Sequence, residues 1–233
     1  MTDYSSLKPS LRGDLIRPGD DAADVMTCVN SARQNGVLLA VRGGGHNGPG
    51  LGSCNDGLVI DLSRMRGVHV DPVEKTATVA GGCVWADVDH ATHAFGLATP
   101  SGILSSTGVG GLTLGGGIGH LARQYGLTID NLLAVDMVLA DGSFATADAA
   151  HHPDLFWAVR GGGGNFGVVT QFTFRLHPVS TVIAGPIFYA IEDAPAVMKA
   201  YETFITDAPT EINGFFAFLV VPPVDRYVPH GAA

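Results

Sequence analysis

The chain has 233 residues, 46% hydrophobic and 15% charged, a composition that suits one or two compact domains and excludes a disordered chain. Its net charge is −9, with 13 scattered basic residues against 22 acidic ones, which excludes nucleic acid and anionic membrane surfaces as partners. No apolar run approaches the roughly 20 residues that span a bilayer, and the start MTDYSSLKPSLRGD lacks the basic and apolar regions of a secretion signal, so a cytoplasmic protein is expected.

Asp20 or Asp21 can cap a helix over 22–35, where Val25, Val29 and Ala32 keep helical spacing and Gly36 is placed to end it. A short apolar strand, 37–42, runs directly into Gly-Gly-Gly-His-Asn, and a second strand, 57–62, follows a polar loop. Residues 68–70 and 76–80 flank Asp71-Pro72-Val73-Glu74-Lys75 and predict a hairpin. The spacing of Val84, Val88, Ala91 and Phe95 predicts a helix over 84–95, with Gly96 after it.

Residues 100–119 are too rich in glycine and serine for a regular helix or a continuous strand. A second hairpin, 133–139 with 143–146, turns on Asp141-Gly142, and a short helix over 154–159 precedes a strand over 167–176. After Pro178 the texture changes to expected strands at 181–190 and 213–221 around an acidic helix, 195–206. The expectation is an α+β protein of two layers, with domains at 1–178 and 179–233. Cys28, Cys54 and Cys83 are odd in number and widely spaced, which argues against a disulfide framework or a zinc site; they read as small buried hydrophobes, and no metal is expected.

Many of the 32 glycines fall in three runs. The first is Arg42-Gly43-Gly44-Gly45-His46-Asn47: glycines after a strand leave backbone N–H groups free to converge on phosphate oxygens, and Arg42 adds a planar donor fork. It is not the G-x-G-x-x-G dinucleotide fingerprint. His46 is either a loop histidine held by a hydrogen bond or a nucleophilic imidazole, and its neighbours alone leave both open. The second run, 107–119, suits a backbone wrapping closely along an extended ligand, with Thr107 as a donor, or a purely structural loop. The third, Arg160-Gly-Gly-Gly-Gly-Asn-Phe-Gly-Val-Val169, leads into a strand whose main chain could meet a polar ring edge.

In order, V-R-G-G-G-H-N, G-L-V-I-D-L, T-G-V-G-G-L-T-L-G-G-G-I-G, Y-G-L-T-I-D-N (125–131) and L-F-W-A-V-R-G-G-G-G-N-F-G-V-V-T (155–170) resemble the FAD-binding domain of the vanillyl-alcohol-oxidase fold. Within it they resemble the berberine-bridge-enzyme-like branch, over roughly 15–178. The resemblance implies a PCMH-type domain of two α+β subdomains clasping an extended FAD, followed by the start of an antiparallel-sheet substrate domain. It places His46 on the histidine that links to the flavin 8α carbon and Arg42, Gly43, Gly44, Gly45 and Asn47 on the pyrophosphate loop. Thr107, Gly108, Gly111 and Gly116 fall in a second flavin-contacting loop, and Asn165, Gly167 and Val169 where main-chain groups meet the cofactor.

Many members carry a second flavin-linking cysteine where this chain has Leu104, followed by Ser105 and Ser106, so a single histidyl bond is expected. Members also continue through more of a substrate domain, so the chain reads as C-terminally shortened, and no catalytic base is named. Tyr189 and Tyr201 match no motif, and His120 reads as a loop histidine. The implied activity is transfer of a hydride from an alcohol, sugar or amine C–H to flavin N5, then of electrons to oxygen. The rival reading is a non-catalytic flavin-binding fragment, whose unpaired strand edges would favour a homo-oligomer. A histidine in the phosphate loop argues against a pyridine-nucleotide reductase.

Overall fold

The computed structural model describes residues 22–218, which divide after Ala184 into two compact units. The first begins with α1 (Ala22–Asn35), so the expected cap at Asp20 or Asp21 lies outside the described residues. Val25, Cys28, Val29 and Ala32 are buried at helical spacing and meet Leu58, Ile60 and Leu62. β1 (Leu39–Arg42) and β2 (Leu58–Asp61) pair in parallel, Leu39 opposite Leu58 and Arg42 opposite Asp61, and this pair is the surface α1 covers.

The larger sheet has five antiparallel strands in the order β3 (Val68–Asp71), β4 (Thr76–Ala80), β7 (Val168–Arg175), β5 (Leu132–Val138), β6 (Phe144–Asp148). Both expected hairpins are present. In the first, the Asp71 carboxylate accepts the N–H groups of Val73 and Glu74, and in the second Gly142 adopts φ +84°. Alternate residues of β4, β5 and β7 point into one core: Ala77, Val79, Val135, Met137, Phe172 and Phe174. Val138 and Val168 instead join the α1 cluster, so β5 and β7 tie the two sheets together.

Helix α2 (Trp85–His93) closes the large core with Trp85 and Val88. Its start is fixed by Asp87, whose carboxylate accepts the Val84 N–H at 2.9 Å while taking a forked bond from Arg66. α5 (Pro153–Val159) begins on proline and buries Phe156 and Val159. Cys28 and Cys83 are buried, but Cys54 is half-exposed; none of the three is in a disulfide.

Two expectations need correction. Residues 100–119 contain a six-residue helix, α3 (Val109–Leu114), despite two glycines within it and one at each end, because Val109 and Thr113 are buried and hold it against the core. α4 (Ala122–Tyr125) and a 3₁₀ turn (Thr128–Asn131) follow.

In the second unit, α6 (Ala194–Asp207) lies where a helix was expected, preceded by a 3₁₀ turn, Ile191–Asp193. Residues 181–190 and 213–218 are not strands; the remainder of the second expected strand, 219–221, lies outside the described residues. Their alternating pattern is that of a strand, but a strand exists only through a ladder, and no described segment pairs with them.

Candidate functional site

Three glycine runs more than 30 residues apart in sequence meet in space. The first leaves β1 at Arg42. None of the N–H groups of Gly43 to Gly48 donates to another described residue, and the segment is half-buried to exposed. Gly45 adopts φ +73°, so the chain curls there, and successive uncommitted N–H groups in a turn attract anionic oxygens. Arg42 lies at the rim, 3.6 Å from Asp61 across the β1–β2 pair, a solvent-exposed contact that leaves most of its donors available. The Asn47 carboxamide oxygen accepts the Leu51 N–H at 2.8 Å, so this side chain shapes the loop.

The second run touches the first backbone to backbone. A Cβ on Gly44 would lie 2.2 Å from the Gly108 nitrogen, and one on Gly108 would lie 2.3 Å from the Gly44 nitrogen. Only two glycines allow this approach. The preceding turn is anchored to α2: Trp85 N–H donates to the Thr107 carbonyl at 3.0 Å and Ala86 N–H to Ser105 at 2.9 Å. That anchoring sets Ser106 Oγ 3.0 Å from Nε2 of His46. Gly111 is exposed with open space where its Cβ would be, and Gly116 is buried at φ +112°.

The third run is tied to the second by one bond, Gly163 N–H to the Leu114 carbonyl at 2.9 Å. Asn165 donates to the Gly162 carbonyl at 3.1 Å, closing its own turn. Gly167, at φ +146°, lies where a Cβ would meet the Val138 carbonyl, and Val169 is buried with its side chain in the core.

Sequence reading missed three parts of this arrangement. Ser106 was noted only as following Leu104, yet it is the partner of His46. Gly81-Gly82, between β4 and α2, threads among the runs: a Cβ on Gly81 would lie 2.4 Å from the Val169 carbonyl, and Cβ atoms on Gly43 and Gly110 would approach the Gly81 carbonyl at 3.9 and 3.6 Å. The signal was a glycine pair directly after a strand.

The third is a buried brace. Asn131 donates to the Tyr125 and Leu127 carbonyls at 2.9 and 3.0 Å, so its oxygen accepts Nε2–H of His177 at 2.7 Å. The His177 ring stacks on Tyr125 with centroids 3.9 Å apart. Burial, and then Arg175, hold the His177 pKa below its usual value. Thr128 and Ile129 in turn bond the Gly117 and Gly116 carbonyls, so the brace fixes the end of the second run. Among the described residues no cluster of histidine, cysteine and carboxylate side chains could hold a metal, and no helix is long and apolar enough to cross a membrane.

An α+β unit in which a glycine loop with uncommitted backbone N–H groups meets two further glycine runs defines a protein able to hold an anionic group such as a phosphate. The chain belongs to the FAD binding domain family, whose model matches residues 15–148. It is 41% identical over 192 residues to an FAD-linked oxidoreductase of Dictyostelium discoideum, covering 82% of this chain and 42% of that protein. Among solved structures it resembles 6-hydroxy-D-nicotine oxidase of Arthrobacter nicotinovorans, with 37% identity and a TM-score of 0.66 over 75% of this chain and 41% of that one. A berberine-bridge-enzyme-like protein of Physcomitrella patens gives 36% and 0.66 over 69% and 36%. Glucooligosaccharide oxidase of Acremonium strictum, which carries a 6-S-cysteinyl, 8α-N1-histidyl FAD, gives 34% and 0.63 over 69% and 35%. The chain thus spans less than half the length of each of these relatives.

The residues present fit an FAD. Undonated N–H groups suit a diphosphate, and the space beside Gly48, Gly111 and Gly116 is open where a Cβ would stand.

Proposed function

We propose that this chain is the FAD-holding part of an oxidoreductase and that it carries the flavin on His46 through a single covalent bond. The observation that carries the reading is the run of uncommitted N–H groups from Gly43 to Gly48, with an exposed imidazole set within it. Arg42 and these amides hold the diphosphate, Thr107, Gly108, Gly111 and Gly116 line one side of the nucleotide, and main-chain groups at Asn165, Gly167 and Val169 meet the other. The bound flavin supplies a two-electron acceptor for hydride from an alcohol, sugar or amine C–H, with oxygen as the final acceptor. Attachment keeps the cofactor from dissociating.

Support for a covalent link comes from the relative that carries a histidyl and cysteinyl FAD. Here the candidate position for a second link is Leu104, which has no nucleophile, so one bond is proposed. Residues 1–178 form the flavin domain in this reading and 179–233 begin a substrate domain; a cytoplasmic location and self-association belong to the same reading.

The test is mass spectrometry of the tryptic peptide from Gly43 to Arg64, which contains His46. Protein expressed with riboflavin should be yellow, stay coloured through acid precipitation and carry the flavin mass on this peptide. Colourless protein that also fails to bind added FAD refutes the flavin reading. Protein that binds FAD but releases all of it in acid refutes the covalent one.

A further inference from the structure

We propose that Ser106 is a positioning residue that fixes which nitrogen of His46 is nucleophilic. The inference rests on the histidyl-flavin reading above. Its basis is geometric: Nε2 of His46 lies 3.0 Å from Ser106 Oγ, and Nδ1 has no partner among the described residues. A neutral imidazole carries a proton on one nitrogen and a lone pair on the other. A serine hydroxyl can donate to Nε2 or accept from Nε2–H; the accepting direction, which the proposal assigns, stabilises the tautomer whose lone pair is on Nδ1, the ring nitrogen with no partner among the described residues.

The placement of this hydroxyl is not left to a mobile loop. The turn around Ser106 is tied to the start of α2 by the Trp85 and Ala86 N–H groups, and Thr107 N–H bonds the Leu104 carbonyl at 3.1 Å. The loop bearing His46 is fixed against the same turn by the Gly44–Gly108 approach. Two residues 60 positions apart are thereby held at bonding distance by rigid backbone on both sides.

The chemistry balances. Nδ1 of His46 supplies the electron pair for the Nδ1–C8α bond, and one C–H of the flavin 8-methyl group breaks. The Nε2 proton is then lost through the Ser106 hydroxyl to water. Molecular oxygen takes up two electrons and two protons in all and leaves as hydrogen peroxide, and the flavin ends oxidised.

The experiment compares the wild-type chain with Ser106→Ala and Ser106→Thr, each prepared without flavin from riboflavin-starved cells. Long-range ¹⁵N–¹H spectra of the apoprotein report the His46 tautomer, and timed acid precipitation after FAD addition reports the rate of covalent attachment. The wild type should show Nε2–H and Nδ1 as the linked atom. Ser106→Ala should show a mixed tautomer and attach roughly fivefold more slowly, the factor one neutral hydrogen bond supports. Ser106→Thr, which keeps the hydroxyl, should recover both.

A Ser106→Ala protein with wild-type tautomer and rate overturns the inference, as does a link at Nε2. A wild type that binds FAD with no acid-stable fraction overturns the histidyl reading itself, so the two failures are told apart.

Discussion

Replacing Gly44 with alanine should loosen the whole site from a position that need not touch ligand. The new methyl would lie 2.2 Å from the Gly108 nitrogen and 2.5 Å from its α carbon, whereas ordinary carbon contacts need about 3.5 Å. The two backbones must therefore part by about 1 Å. The obstacle is main chain anchored by Val109 N–H to the Cys83 carbonyl, so no side chain can swing away. Overpacking of this kind costs about 1–3 kcal/mol. For a unit of this size, 2 kcal/mol corresponds to a fall of roughly 4–8 °C in melting temperature.

Gly108→Ala disturbs the same contact from the other side, so the double variant should cost clearly less than the two single costs added. Gly67→Ala, outside the three runs, is the control, since nothing lies within 4 Å of its Cβ and its φ is not positive. Thermal unfolding followed by circular dichroism, with FAD affinity by fluorescence quenching, decides the matter. Gly44→Ala that melts and binds FAD like Gly67→Ala would refute the backbone-contact argument.

Other consequences are open to measurement. Asn131→Ala strips the partners from the Tyr125 and Leu127 carbonyls and from His177 in a site only 2% exposed, and should destabilise by about 2–3 kcal/mol in urea titrations. Because the folded His177 pKa lies below the unfolded value near 6.5, its contribution is present above that pH and lost as pH falls through the folded value. Unfolding midpoints should drop as pH is lowered from about 6.5 towards 5, and His177→Gln should flatten that part of the curve. Arg42→Ala should weaken FAD binding about tenfold at low salt and less at high salt, seen by isothermal titration of a His46→Ala background that cannot link the flavin.

Much of the first unit was legible because its signals are local. α1 follows from the spacing of Val25, Val29 and Ala32, the hairpins from Asp71-Pro72 and Asp141-Gly142, and the three glycine runs from their composition. Which runs touch was not legible, since contact between Gly44 and Gly108, or between His46 and Ser106, depends on the path of β4 and α2 between them. The helix at 109–114 was hidden for a related reason: glycine-rich sequence lacks helical propensity, and burial of Val109 and Thr113 supplies what propensity does not. Beyond Ala184 the alternating pattern suggested strands, but pattern records only which face would be covered and not whether a neighbour is there to pair.

The strand order gives the folding of this unit a timetable. β7 is the last strand of the first unit to be synthesised, yet it sits in the middle of the sheet as the sole bridge between the β3–β4 and β5–β6 hairpins. Until residues 168–175 leave the ribosome the hairpins remain two separate ribbons, and the Ala80–Gln171 and Leu132–Phe174 pairings that join them close long loops. Since the third glycine run immediately precedes β7, that run and the sheet are completed by the same stretch of chain; under the proposed function, cofactor capture then belongs to the end of folding rather than its beginning.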